Sequence, residues 1–400
     1  MKELSTRLIH TGDARFAAKI AKMKSLPETM PIYHSSVFAF DNIDDVDAIY
    51  EKEADGYIYS RIAAPNADAV SEMIASADGG EKAVVFASGM AAITTTILSF
   101  VGTGDHIISS NVLYGGVRDF LENELPRFGV EVTFADLAAG DITAYAKPNT
   151  KLVYTETISN PLMEVPDLEK LAKSAHENGL KLFVDNTFAT SIVVKPLNLG
   201  ADAVLYSATK YLGGHSDIVA GAVAGKAEII DRIKKSLVLY GGIASPHDCW
   251  LLARSLRTLD LRMKRHSENA LKVAKFLEAH PKIERVFYPG LESSPSYERA
   301  SRQFSSGLYG GMLSVDLKGG EESARKVVNA FESIYLVPSL AGTATTVSWS
   351  AKTSHRFFDR EERLKAGITD GQLRFSVGLE AVGDIIAELS TAFAAALDKA

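Results

Sequence analysis

A lysine, an aspartate and a glycine-opened helix each follow a short apolar run in this chain, and their types and spacing suit them to chemistry. Lys210 closes the segment Ser207-Ala208-Thr209-Lys210, directly after the apolar run Ala203–Tyr206. A lysine at the carboxyl end of a sheet strand stands where open α/β sheets bind ligands, and its amine can condense with a carbonyl and later shuttle a proton. The hydroxyls of Ser207 and Thr209 beside it are suited to donate to phosphate oxygens. A solvated surface lysine is the plainer reading of the tetrapeptide alone. Asp185 ends the run Leu182-Phe183-Val184 and precedes Asn186-Thr187. A carboxylate there can pair with a pyridine nitrogen and keep it protonated, which makes such a ring an electron sink. A cap or turn aspartate is the alternative. Ala87-Ser88-Gly89-Met90 lies between a β-like run and an apolar helix. Small residues opening a helix leave backbone N–H groups free for a phosphate at the positive end of the dipole, although a tight strand-to-helix turn reads the same way. The segment is neither a G-x-S-x-G elbow nor a P-loop. Phosphate cradle, acidic strand end and lysine strand end come in that order, each on its own βα unit. Together they are far more specific than any one alone.

The elements that must position these residues alternate. Short β-branched or aromatic runs occur at Ala83–Phe86, His106–Ser109, Val130–Phe134, Leu152–Thr155, Leu182–Asp185, Ala203–Ser207 and Val219–Ala224. Helical stretches separate several of them. The clearest is Asp167–Asn178, where Leu168, Leu171, Ala172 and Ala175 share one face, with Pro166 at its start and Gly179 just past its end. This pattern predicts an α/β domain with a mostly parallel sheet covered on both faces. Trp250–His280 reads as one or two helices. Strands at Ile283–Phe287, Met312–Leu317 and Leu373–Val377, with helices near Glu321–Ser333 and Asp384–Leu397, predict a smaller α+β domain. The first sixty residues lack periodicity and read as an extended arm. The expected division is an arm over 1–60, a large domain over 61–250 and a C-terminal domain over 251–400.

Four hundred residues allow two packed domains, and 46% apolar with 23% charged residues is ordinary for a globular protein. A net charge of −7 gives no reason to expect nucleic acid or an anionic membrane as partner. Cys249 is the only cysteine, which rules out an intrachain disulfide and a thiolate metal cluster. The nine histidines show no metal-ligand pair at helical spacing, so no metal is expected. Met1–Lys24 lacks the apolar core of a signal peptide, and a cytoplasmic protein is expected. Ala83–Gly104 carries no charge and is long enough to span a bilayer. Its serines, threonines and glycines, after the run Ala83-Val84-Val85-Phe86, favour a buried strand followed by a buried helix.

With these residues in view, the chain resembles the Cys/Met-metabolism family of pyridoxal 5′-phosphate (PLP) enzymes. The family includes methionine γ-lyase, cystathionine γ-synthase and the cystathionine lyases. The resemblance runs from Thr6-Arg7 to Arg374-Phe375-Ser376-Val377-Gly378-Leu379-Glu380. Its most specific pieces are Tyr59-Ser60-Arg61, Ala87-Ser88-Gly89-Met90, Leu113-Tyr114-Gly115-Gly116, Val184-Asp185-Asn186-Thr187 and Ser207-Ala208-Thr209-Lys210-Tyr211. It implies an aspartate-aminotransferase-like fold (fold type I) with PLP as cofactor. Lys210 is then the Schiff-base lysine and proton shuttle, and Asp185 the partner of the pyridine nitrogen. Gly89, Met90, Ser207 and Thr209 are the phosphate ligands. Tyr114 stacks over the ring and assists at the leaving group. Asn160 lies near the phenolic oxygen, and Ser339 near the lysine. Arg374 clamps the substrate α-carboxylate, a task that suits its fork of donors. Tyr59 and Arg61 reach a neighbouring subunit's phosphate, which implies a dimeric site and, in this family, a homotetramer. Taken singly, Tyr114 also fits a core tyrosine, and Arg374 a surface arginine on an edge strand.

Departures from the family pattern bear on the substrate. Ala64-Pro65-Asn66 follows Tyr59-Ser60-Arg61 where Asn-Pro-Thr is usual. Gly116 stands where methionine γ-lyases carry a cysteine, and Pro338 where cystathionine-handling lyases carry a glutamate. Ala341–Ser350 replaces a familiar segment over the substrate, with Trp349 expected as a new wall. The expected activity is elimination of a γ or β substituent from a sulfur-containing or related L-amino acid. The alternative is γ-replacement, joining a thiol to an O-acylhomoserine. A catalytically idle binding protein and a nucleotide-binding module are further readings, the latter weakened by the lack of Gly-x-Gly-x-x-Gly after the first strand.

Overall fold

The computed structural model describes residues 3–11, 27–353, 356 and 359–397. Of the expected arm, residues 1–2 and 12–26 lie outside the described residues. Its described part holds two helices, Leu4–His10 and Ile43–Tyr50. The first is tied down by the fully buried Leu8 and by Arg7 donating to Ser76 Oγ at 3.2 Å.

The larger sheet has seven strands: β1 (Lys82–Phe86), β2 (His106–Ser110), β3 (Glu131–Ala135), β4 (Thr150–Glu156), β5 (Lys181–Asp185), β6 (Ala203–Tyr206) and β7 (Gly221–Gly225). Their order is β1-β7-β6-β5-β4-β2-β3, and only β7 runs against the rest. Alternation decides what each face buries. Val84, Phe86, Leu205 and Val223 enter one apolar cluster, while Val85, Val204, Tyr206 and Ala222 enter another. Both faces are therefore dry, which is why these strands read as unbroken apolar runs. The uncharged run Ala83–Gly104 is β1 followed by the helix Gly89–Leu98. The periodic segment after Pro166 is the helix Leu168–Glu177, capped by Asp167 accepting from Lys170 N.

The Trp250–His280 stretch belongs to two helices, Pro246–Leu256 and Leu259–Glu278. They lead to a smaller five-stranded sheet made of β8 (Ile283–Phe287), β9 (Met312–Leu317), β10 (Tyr335–Leu336), β11 (Thr346–Trp349) and β12 (Gln372–Ser376), in the order β10-β11-β12-β9-β8. The helices Gly320–Ala330 and Val382–Leu397 cover it. Among the described residues no helix is long and apolar enough to cross a membrane, and no group of three or more His, Cys, Asp or Glu is placed to hold a metal ion.

One buried acid under the large sheet yields a prediction about stability. Asp78 is 1% exposed and accepts from the Tyr206 hydroxyl, which itself accepts from Asn186 Nδ2 at 3.1 Å. Burial pushes its carboxyl up to about 7, against the Tyr206 hydrogen bond and the Lys195 charge. A raised acid stabilises the fold below its ordinary range near 3.8, and that contribution is lost as pH rises through about 7. Asp78→Asn keeps an acceptor for Tyr206 and never ionises. Its Tm should therefore gain on the wild type between pH 5 and 8, by the equivalent of at most about 4 kcal/mol. A Tm difference that does not change with pH would contradict this.

Candidate active site

Parallel strands bring their carboxyl ends to one edge, and the residues after them meet there. Glu156 ends β4 and Asp185 ends β5, directly paired across the ladder. Ser207–Lys210 follows β6, Ser88–Met90 follows β1, and Tyr114 follows β2. From the smaller sheet come Arg374 on β12 and the segment Pro338-Ser339-Leu340. They enclose a cavity of about 280 Å³ whose lining includes Gly89, Met90, Tyr114, Asn160, Asp185, Ser207, Thr209, Lys210, Ser339 and Arg374.

The geometry of each is specific. Lys210 Nζ donates to Ser339 Oγ at 2.8 Å, and burial, then the charge of Arg374, holds its amine down to about 8. Asp185 is 7% exposed; its Oδ1 accepts from Thr187 N at 2.9 Å and its Oδ2 from the Tyr154 hydroxyl at 3.4 Å. Burial raises its carboxyl, while the bonds from Thr187 and Tyr154 oppose the rise. Arg374 is 4% exposed and gives Nη1 to Asn160 Oδ1 at 2.8 Å, yet its Nε–H has no hydrogen-bond partner. A buried guanidinium on the cavity lining, with one donor left unpaired, is suited to an anion.

Ser88 caps the Gly89–Leu98 helix by accepting from Ala91 N at 3.1 Å. Ala92 N is bonded to Ser88 O, so the N–H groups of Gly89 and Met90, both on the cavity lining, are the ones the helix leaves over. A Cβ on Gly89 would sit 2.7 Å from Ser207 Cβ and 2.9 Å from its Cα. The helix start and the strand end therefore close on one point, which only glycine permits. Thr209 contributes less freely than expected. Its hydroxyl donates to Ala220 O at 3.1 Å and accepts from Ala220 N at 3.0 Å, so it anchors the chain leading into β7. Tyr114 stands half-exposed at the rim.

The cavity fits PLP on these grounds. It offers an amine of lowered basicity, a buried acid on the same lining, a glycine-opened helix start and a buried arginine. A profile of the Cys/Met metabolism PLP-dependent enzymes matches residues 5–394. The chain belongs to that family. An L-methionine gamma-lyase of Fusobacterium nucleatum subsp. polymorphum is 42% identical over 392 residues, covering 96% of each chain. An O-succinylhomoserine sulfhydrylase of Pseudomonas aeruginosa is 39% identical over 367 residues, covering 91% of this chain and 90% of that protein. The solved structure of cystathionine gamma-lyase from Lactobacillus plantarum complexed with L-serine matches with a TM-score of 0.90 at 35% identity, covering 99% of each chain. This member of the PLP family thus has fold type I, a large mostly parallel sheet with a smaller second sheet.

Two expected site residues stand apart from the cavity. Tyr59 is 39% exposed, and the Arg61 guanidinium lies over its ring, 5.4 Å from the centroid, while donating to Val238 O at 2.6 Å. Trp349 corrects another expectation. It is buried on β11 in the core of the smaller sheet, with Nε1 donating to Asp370 O at 3.0 Å, and forms no part of the cavity wall. The replaced segment is pinned elsewhere, by Thr345 Oγ1 donating to Glu380 at 2.9 Å and Leu379 N to Thr343 O at 2.8 Å. Glu156 is the residue sequence reasoning passed over. It lines the cavity at 8% exposure and accepts from Tyr114 N at 2.7 Å. The signal was available, because it closes an apolar strand run just as Asp185 does.

Proposed function

We propose that this enzyme eliminates a γ or β substituent from a sulfur-containing or related L-amino acid, releasing a 2-oxo acid and ammonia. The observation that carries the reading is the meeting of Lys210, the buried Asp185 and the buried guanidinium of Arg374 on one cavity. PLP, when bound, supplies a cationic pyridine ring that takes up the charge left by removal of an α-proton. Asp185 keeps that ring protonated. Gly89, Met90, Ser207 and Thr209 hold its phosphate, and Asn160 borders its phenolic oxygen. Arg374 receives the substrate carboxylate and orients the α-carbon toward Lys210. Lys210 Nζ, with an amine near neutrality in basicity, takes the α-proton. Ser339 keeps that amine from swinging away, and Tyr114 at the rim serves the departing group. For a thioether, substrate and one water give a thiol, a 2-oxo acid and ammonium.

Pro338 and Leu340, with Ile158 and Phe188, make the inner walls apolar, which suits a leaving group without a distal charge. In this reading Tyr59 and Arg61 reach a neighbouring subunit's phosphate in a cytoplasmic homotetramer, and their exposure in the single chain supports it. The test is ammonia and 2-oxo acid release from methionine, homocysteine, cystathionine, cysteine and O-acylhomoserines by the purified holoenzyme. Methionine-like thioethers should turn over faster than cystathionine. Silence across the panel rejects elimination, and product formed only with an added thiol would make the enzyme a γ-replacement synthase instead.

A further inference from the structure

Glu156 enters none of the steps above, yet it joins several parts of the site. Tyr114 N donates to its Oε1 at 2.7 Å, and the backbone N–H of Asn160 donates to it as well. Its strand pairs it with Asp185. One carboxyl thus ties the rim loop carrying Tyr114 and the loop carrying Asn160 to the strand end carrying Asp185. Arg374 in turn hangs on Asn160 Oδ1 at 2.8 Å, so the tie extends to the substrate's anion site.

We infer that Glu156 is a positioning residue that works as a neutral acid, fixing Tyr114 and Asn160 relative to Asp185 while leaving the negative charge of the pair on Asp185. The inference rests on the function proposed above. Two carboxyl groups at adjacent strand ends, 8% and 7% exposed, cannot both ionise without a large desolvation and repulsion cost. The groups facing Glu156 decide which keeps the proton. Tyr154 lies on its own strand and donates its hydroxyl to Asp185, not to Glu156; Asp185 faces it from β5. Lys210 after β6, Arg374 on β12 and Tyr114 after β2 line the same cavity. The direction of titration agrees: burial first, then the Asp185 charge, lifts Glu156 well above the usual carboxylate range, and its backbone bonds offset this only in part. A carbonyl oxygen accepts from an N–H whether or not its acid is ionised, so the tie survives neutrality with weaker bonds than a carboxylate would make.

Glu156→Gln copies the neutral acid, and Glu156→Ala removes the tie. For the holoenzyme, Glu156→Gln should keep the wild-type pH titration of the cofactor's visible absorbance, bind PLP as tightly in equilibrium dialysis, and hold kcat within about threefold. Glu156→Ala should lower kcat about tenfold or more and raise KM, as loosened catalytic groups do. Thermal melting of both variants checks that they fold. A shifted absorbance titration or a large kcat loss in Glu156→Gln would show that the charge of Glu156 is used, and wild-type kinetics in Glu156→Ala would show that the tie does nothing. Either result overturns the inference while wild-type turnover still stands. Absent turnover and absent visible absorbance in the wild type itself would instead remove the proposed function beneath it.

Discussion

Lys210→Ala is expected to abolish elimination, lowering kcat by at least about 10²–10⁴-fold, and to remove the visible absorption of bound cofactor at the same time. The first loss follows from removing the one lysine on the cavity lining among the described residues; general-base catalysis alone is worth that much. The second follows from the proposed attachment of the cofactor at the same nitrogen. Folding should not suffer. A lysine pressed down to about 8 by burial costs the fold most below that pH, and the cost fades as pH rises toward 10.5. The alanine variant should therefore melt no lower than the wild type at pH 7. Its spectrum, melting curve and ammonia release separate chemistry from stability. Retained turnover would move the base elsewhere.

Asp185→Asn should be nearly as damaging for a different reason. Its Oδ1 can still accept from Thr187 N, so the local turn survives. The negative charge opposite the ring nitrogen is gone, and with it the reason for that nitrogen to stay protonated. Loss of one preorganised electrostatic partner costs about 10²–10³-fold in kcat. The cofactor should remain attached at Lys210, and Km for PLP-saturated enzyme should change far less than kcat. The contrast with Glu156→Gln is informative, because both variants replace an acid at the same edge of the sheet by its amide. Only the Asp185 change should matter to the chemistry. Equal kinetics for Asp185→Asn and wild type would detach this carboxyl from the ring.

The strand-end residues of the cavity were legible because strand chemistry is local. Lys210 and Asp185 each close an apolar run, and in a sheet buried on both faces such a run ends where the ligand edge begins. Glu156 carries the same signature, one residue past the apolar run Leu152–Thr155. The helix Leu168–Glu177 was also readable, with Pro166 ahead of it and Gly179 at φ +70 just beyond its end. The substrate half was not legible in this way. Arg374 sits within an all-buried strand, and nothing in its neighbours tells which way its side chain points. Only the family resemblance singled it out. Trp349 shows the opposite failure. The segment Thr346–Trp349 looked like a loop replacing a loop, yet it is a strand whose backbone pairs with Leu373–Ser376, and pairing between distant segments leaves little mark on either.

The claim on which everything else depends is that Lys210 holds the cofactor. Borohydride reduction of the holoenzyme, followed by proteolysis and mass mapping, reads this directly. The pyridoxyl mass should fall on the peptide containing Ser207-Ala208-Thr209-Lys210 in the wild type and nowhere in Lys210→Ala. An adduct on a different lysine, or none at all in fully loaded protein, would contradict the account.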